Sequence, residues 1–137
     1  MNEGVIELNR YDDYLKANDH LTIDEFNQIY HRLSVTSTIN DAYFQELWRE
    51  MIVSAFVYAK RRAEWSVQSL AERREVDEIR THEHNDFMTN LKVIYRYLKT
   101  EGKAIDWFEQ LGTPEKDRKR FGDFACYLTL IHSLNAR

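Results

Sequence analysis

The sequence predicts an all-α protein, a four- or five-helix antiparallel bundle forming a single domain over residues 1–137. The first ground is an absence. The glycines are Gly4, Gly102, Gly112 and Gly122 and the only proline is Pro114, so residues 5–101 contain neither type. A sheet protein of this length would need several tight turns marked by such residues, whereas other polar side chains can cap helices. The second ground is the recurrence of apolar residues three and four apart, as at Phe26, Ile29, Tyr30 and Leu33. The third is capping chemistry at the expected helix starts.

Residues 5–17 carry a weak helical period. "LTIDEF" at 21–26 opens a stronger helix, with Thr22 as N-cap, Glu25 as its reciprocal partner, and Leu21 and Phe26 placed as a hydrophobic staple. "SVTSTIN" at 34–40 is β-branched and polar and reads as a connector. A second helix begins near Asn40 or Asp41, with Phe44, Leu47, Trp48, Met51, Ala55, Tyr58 and Ala59 along one stripe.

No obvious breaker stands between 41 and 101, yet one helix of that span would be about 90 Å long. A break is therefore expected, first at the Ser-x-x-Glu box "SLAE" (69–72) and second as a kink near Thr81. The next helix would bury Val76, Ile79, Phe87, Leu91, Ile94 and Leu98 and stop at Gly102. "IDWFEQLG" reads as a short helix closed by Gly112. "TPEKDRKRF" opens the last one, with Thr113 as cap and Pro114 in the first turn. Phe121, Phe124, Ala125, Leu128 and Ile131 would supply its buried side, with Gly122 at a close helix–helix contact.

Composition excludes several functional classes. Hydrophobic residues are 43% and charged residues 31% of the chain, as in ordinary globular proteins. The net charge of −4 arises at the N-terminal end, where residues 1–40 hold seven acids and three bases, so no long-range attraction to nucleic acid or anionic lipid follows. The single cysteine, Cys126, rules out an intrachain disulfide and reads as a small apolar core residue. No signal sequence is visible and "MIVSAFVYA" (51–59) is too short to span a bilayer, so a cytoplasmic location without membrane association is expected.

The densest polar stretch is "RTHEHNDF", residues 80–87. On a helix, His82 and His84 diverge by about 200°, so one ion cannot hold both. His82 could pair with Asp86 one turn away. No histidine follows a glutamate by three residues, the helical di-iron pattern, so no metal site and no cofactor are expected. Arg80, Glu83 and His84 turn toward the apolar stripe, while His82 and Asn85 turn away. The inward cluster reads either as a sealed polar layer, with Arg80 paired to Glu83 or to Glu46 or Glu50, or as an anion or nucleotide pocket. In the pocket, Arg80 would hold phosphate and His84 would move a proton.

"KRR" (60–62), "RKR" (118–120) and the stripe of Arg74, Lys92, Arg96 and Lys99 read as solvated helix faces. With Tyr95 and Tyr97 close by, the stripe also has the residues of a phosphate-and-stacking surface. Trp48 and Trp107 read as core. Trp65, if exposed, is a candidate partner contact.

The stretch Arg80–His84 does not fit the Arg-x4–6-His motif of helical HEPN-type ribonucleases: three residues separate this pair, and seven separate Arg74 from His82. A broader resemblance covers residues 73–131. "RREVDEIRTHEHNDFMTNLKVIYRYL" followed by "FGDFACYLTLI" resembles small helical bacterial and phage proteins that share an Arg-x-x-x-His-Asn centre and a later Gly-Asp-Phe. That resemblance implies a helical fold and a bacterial or phage setting, falls on Arg80, His84, Asn85, Gly122, Asp123 and Phe124, and carries no assigned chemistry. The leading expectation is a non-enzymatic helical interaction or regulatory protein with a protein partner or self-association. The alternative is a nucleotide- or RNA-binding or -cleaving protein using Arg80 and His84.

Overall fold

The computed structural model describes residues 21–36 and 41–135, which form five α-helices: α1 Ile23–Thr36, α2 Ala42–Ser66, α3 Leu70–Thr100, α4 Asp106–Leu111 and α5 Arg118–Asn135. Among the described residues there is no strand, and the helices pack together as a bundle. The possible helix at 5–17 lies outside the described residues.

Local chemistry sets most helix ends. Thr22 Oγ1 accepts from Glu25 N and Glu25 Oε1 accepts from Thr22 N, both at 3.1 Å, while Leu21 and Phe26 are buried as the staple requires. The connector expected from residue 34 begins later, because α1 runs on to Thr36 and Ser34 Oγ donates back to the His31 carbonyl. Asp41 caps α2 by accepting from Tyr43 N. The long helical stretch breaks at the second capping box, where Ser69 Oγ accepts from Glu72 N and Glu72 Oε1 accepts from Ser69 N. The joint is tied from the other side as well. Arg73 donates to the carbonyls of Trp65 and Ser66, both at 3.0 Å, satisfying acceptors that the end of α2 would leave open. Ser69→Ala should therefore lower stability by about 1 kcal/mol in urea unfolding, the usual size of a lost N-cap.

Thr81 does not interrupt the helix; α3 is continuous over 70–100. It ends in a Schellman motif, with Gly102 at φ 71°, Gly102 N donating to Lys99 O and Lys103 N to Leu98 O. Gly112 closes α4 at φ 120°. The last helix starts later than its proline suggests. Thr113–Lys116 form a turn, Asp117 Oδ2 accepts from Thr113 N at 2.8 Å, and α5 begins only at Arg118.

Helix α5 is the centre of the bundle, packed on α1, α2 and α3. Every residue from Phe121 to Thr129 is buried, as expected of a helix enclosed on all sides. Phe26 stacks against both Phe124 and Tyr127, with centroids 6.1 and 5.8 Å away, and Trp107 and Leu111 of α4 join the same core. Cys126 is buried beside Ala59 and Ala63, and burial raises its thiol to about 11. Helix α3 departs from its expected stripe: its buried residues run only from His84 to Leu98, leaving Val76 half-buried and Ile79 exposed. The apolar period continues through the first turns of α3, where the end of α2 makes the contacts and none of the residues is fully buried.

Gly122 fills the predicted role of a close contact. A Cβ there would lie 2.9 Å from Tyr58 Oη and 3.3 Å from His84 Cδ2. Alanine gains roughly 1 kcal/mol of helix propensity over glycine, but overpacking costs roughly 1–3 kcal/mol. Gly122→Ala should thus be mildly destabilising in chemical denaturation. The Tyr58→Phe background, which removes the 2.9 Å contact but keeps the ring carbon at 3.2 Å, should reduce that loss.

Candidate functional site

His84 stands where α3 meets the start of α5. It is 7% exposed and packs edge-on to Tyr58, with ring centroids 5.1 Å apart. Its Nε2 lies 2.9 Å from the Arg118 carbonyl, which can only accept, so Nε2 carries the proton. Its Nδ1 then accepts from Arg118 Nη2 at 3.1 Å. Both ring nitrogens are engaged by one residue, and the ring is neutral. Asn85 Oδ1 completes the hold on Arg118, accepting from the same Nη2 at 2.7 Å. Asn85 is exposed, as expected, and still serves the site through this bond.

Burial is the main force lowering the His84 pKa from its ordinary 6.5. The bond to the Arg118 carbonyl opposes that shift, while the positive charges of Arg118, Arg62 and Arg80 add to it. A base with a depressed folded value binds fewer protons when folded. Its contribution to stability is thus complete above the unfolded value of 6.5 and is lost as pH falls toward the folded value. Melting temperature should fall on acidification from about pH 7.5 to 5.5, and the slope should be shallower in His84→Gln. Some slope will remain in the variant, because burial also lowers His132.

Behind this pair lies an ion pair between Arg62 Nη1 and Asp123 Oδ1 at 2.7 Å, with side chains 15% and 0% exposed. Burial works against the charge of Arg62, and the neighbouring Asp123 carboxylate holds the guanidinium protonated. Glu83 does not join Arg80; it accepts from Arg61 Nε at 2.7 Å. Arg80 instead lies over the Trp65 ring, 4.4 Å from its centroid, with Asp77 3.6 Å away. Arg73 lies 4.2 Å from the centroid of the same ring, and Trp65 Nε1 donates to Asp77. Trp65 is thus engaged by two guanidinium groups rather than presented as a bare partner contact. Arg80 Nε is shielded from solvent and has no hydrogen-bond partner among the described residues.

These groups surround a cleft of about 300 Å³. Four cationic side chains line it, Arg62, Arg80, Arg118 and Lys119, with Tyr58, Trp65, Thr81 and His84 between them. No carboxylate is in its described lining. Asp123 balances Arg62 and Asp77 partly balances Arg80, whereas Arg118 and Lys119 have no ion pair among the described residues. The inward cluster is satisfied at His84 and Glu83, and at Arg80 it borders an open, positively charged cleft. The reason is the one that exposes Ile79: the first turns of α3 extend past the cover that α5 provides.

Sequence reasoning brought Arg80 and His84 to one place and missed Arg118, Lys119 and Arg62; Asp123 entered only through the Gly-Asp-Phe resemblance, with no role attached. It read "KRR" and "RKR" as solvated; Arg118 and Lys119 are exposed as that reading expects, but Arg61 pairs with Glu83 and Arg62 pairs with the buried Asp123. One signal was present: Asp123 sits inside the apolar run "FGDFACYL", where a buried carboxylate needs a cation. The residues carried by the Arg-x-x-x-His-Asn and Gly-Asp-Phe resemblance meet around this cleft, except that Phe124 belongs to the aromatic core.

The other candidate surfaces offer less. Tyr95 stacks on Phe108 and Tyr97 donates to Asp41, so neither is a free stacking platform beside Lys99. His82 and Asp86 form an exposed pair at 3.4 Å, and no group of three or more metal-ligating side chains occurs among the described residues. No described helix is long and apolar enough to cross a membrane. Comparison of the chain with protein-family models, with curated proteins and with solved structures finds no match in any of the three.

Proposed function

We propose that the protein is a small regulatory or accessory factor of bacterial or phage origin that binds a phosphoryl anion in the cleft between α2, α3 and α5. The observation that carries this reading is the charge of the lining: four cationic side chains and no carboxylate among the described residues, in a chain whose net charge is −4. Arg118 and Lys119 form no ion pair among the described residues, and Arg80 offers an Nε donor without a hydrogen-bond partner among them. Guanidinium groups suit the several oxygens of a phosphoryl group. Hydrogen bonds to charged groups contribute roughly 1.5–3 kcal/mol each, so two or three of them correspond to a dissociation constant on the order of a millimolar for bare phosphate. His84 is assigned to positioning, because both its nitrogens are spent on Arg118.

The test is an NMR titration with orthophosphate, following the Trp65 indole N–H and the arginine Nε–H signals, with chloride at matched ionic strength as control. Saturable shifts that weaken with salt and vanish in the Arg80→Ala/Lys119→Ala double variant are expected. Shifts no different from chloride would overturn the reading.

A protein-binding surface is favoured by a separate observation. Val67, Leu70 and Ile79 are 64%, 67% and 47% exposed at the uncovered end of the α2–α3 pair. Sedimentation over a concentration series should show association that Leu70→Glu abolishes; a strict monomer would count against self-association.

A further inference from the structure

Arg118 is the wall between two cavities. On its far side from the cationic cleft lies a second space of about 170 Å³, lined by Asn85, Met88, Thr89, Lys92, Pro114 and Glu115. We infer that the ligand is a nucleoside monophosphate that straddles Arg118, with its phosphoryl group in the cationic cleft and its nucleoside in this second cavity. The inference rests on the phosphoryl-binding reading and extends it to the class of ligand.

Charge is the first argument. The larger cleft has four cations and no carboxylate in its described lining, whereas the smaller cavity sets Glu115 against Lys92 and the shared Arg118. A second phosphate would meet a carboxylate there and a weaker positive field; an uncharged polar group would find donors and acceptors. Asn85 uses its Oδ1 on Arg118, leaving its amide N–H groups without a partner among the described residues, as is the Thr89 hydroxyl. Size is the second argument. At about 170 Å³ the space is a little over half the size of the cationic cleft of about 300 Å³, which suits a compact nucleoside better than a peptide segment. Surface character is the third. Met88 and Pro114 provide apolar walls against which a flat ring can pack, and Arg118 itself presents a planar guanidinium between the two spaces. Trp65 does not compete for the ring, since Arg73 and Arg80 already lie 4.2 and 4.4 Å from its centroid.

The experiment compares orthophosphate, adenosine and uridine monophosphates, and the unphosphorylated nucleosides by NMR titration of the full chain. The nucleotides should bind at least tenfold more tightly than orthophosphate, and nucleosides alone should bind weakly. Thr89 is exposed on α3, so Thr89→Leu should fold normally while filling the second cavity. In that variant the nucleotide preference should disappear and orthophosphate affinity should stay as it was. If orthophosphate saturates the cleft but nucleotides bind no better, or if Thr89→Leu keeps the preference, the inference is overturned and phosphoryl binding stands. If orthophosphate itself does not bind, both fall.

Discussion

Asp123→Asn should be among the most damaging single substitutions in the molecule. The carboxylate is fully buried, 2.7 Å from Arg62 Nη1, in the helix that every longer helix touches. Breaking a buried ion pair by removing one partner costs roughly 3–5 kcal/mol, because the surviving charge keeps its desolvation penalty. Asparagine keeps the shape and loses the charge, so urea unfolding of this variant isolates the electrostatic loss from any cavity. The double variant Arg62→Met/Asp123→Leu provides the complementary measurement. It removes both charges at once and should recover most of the lost stability. A double variant as unstable as Asp123→Asn would show that the pair is needed for more than mutual neutralisation.

Arg118→Ala should have the largest effect on ligand binding, with orthophosphate affinity falling between tenfold and a hundredfold. That range corresponds to one charge-assisted hydrogen bond of roughly 1.5–3 kcal/mol. The same variant should change His84. Its Nδ1 loses its donor and its ring loses a neighbouring positive charge that now helps to lower its pKa, so the ring should titrate at a higher pH. Histidine signals followed by NMR across pH 5–8 would report this directly. Arg118→Lys separates charge from geometry. Lysine restores a cation but cannot bond the histidine and Asn85 through one planar group, so partial recovery of affinity with incomplete recovery of the His84 titration is expected. Full recovery of both would mean that the guanidinium geometry is irrelevant.

Much of the fold was legible because its punctuation is local. Thr22 with Glu25 and Ser69 with Glu72 are reciprocal bonds within four residues, and the structure makes all four of them. Gly102 required a left-handed residue at a helix end and occupies one. The start of α5 was misread because two local outcomes compete. Thr113 and Pro114 suit a helix N-terminus, but the Asp117 carboxylate takes the Thr113 N–H and makes a turn of those residues instead. The burial of α3 was misread for a different reason. Periodicity says which face of a helix is apolar; it does not say how far along that face a neighbour extends. The site was half legible by the same logic. Helical geometry put Arg80 and His84 together, but their decisive partner, Arg118, lies 34 residues beyond His84. Nothing local in either segment announces that contact.

The tied joint between α2 and α3 also has a consequence for the order of folding. Both helices end within the short stretch Val67–Ser69, and Arg73 reaches back to α2 from the first turns of α3. Bringing the two together closes a very short loop, so little chain entropy is lost before their contacts form. Helix α5 must be recruited from much farther along the sequence. The α2–α3 hairpin is therefore expected to be largely assembled in the rate-limiting species, with α5 inserted afterwards. Stopped-flow measurements should show Ser69→Ala slowing refolding, whereas Gly122→Ala should act chiefly by accelerating unfolding. A cleft whose third wall arrives last would exist only in the fully assembled molecule, so a phosphoryl ligand should retard unfolding without hastening refolding.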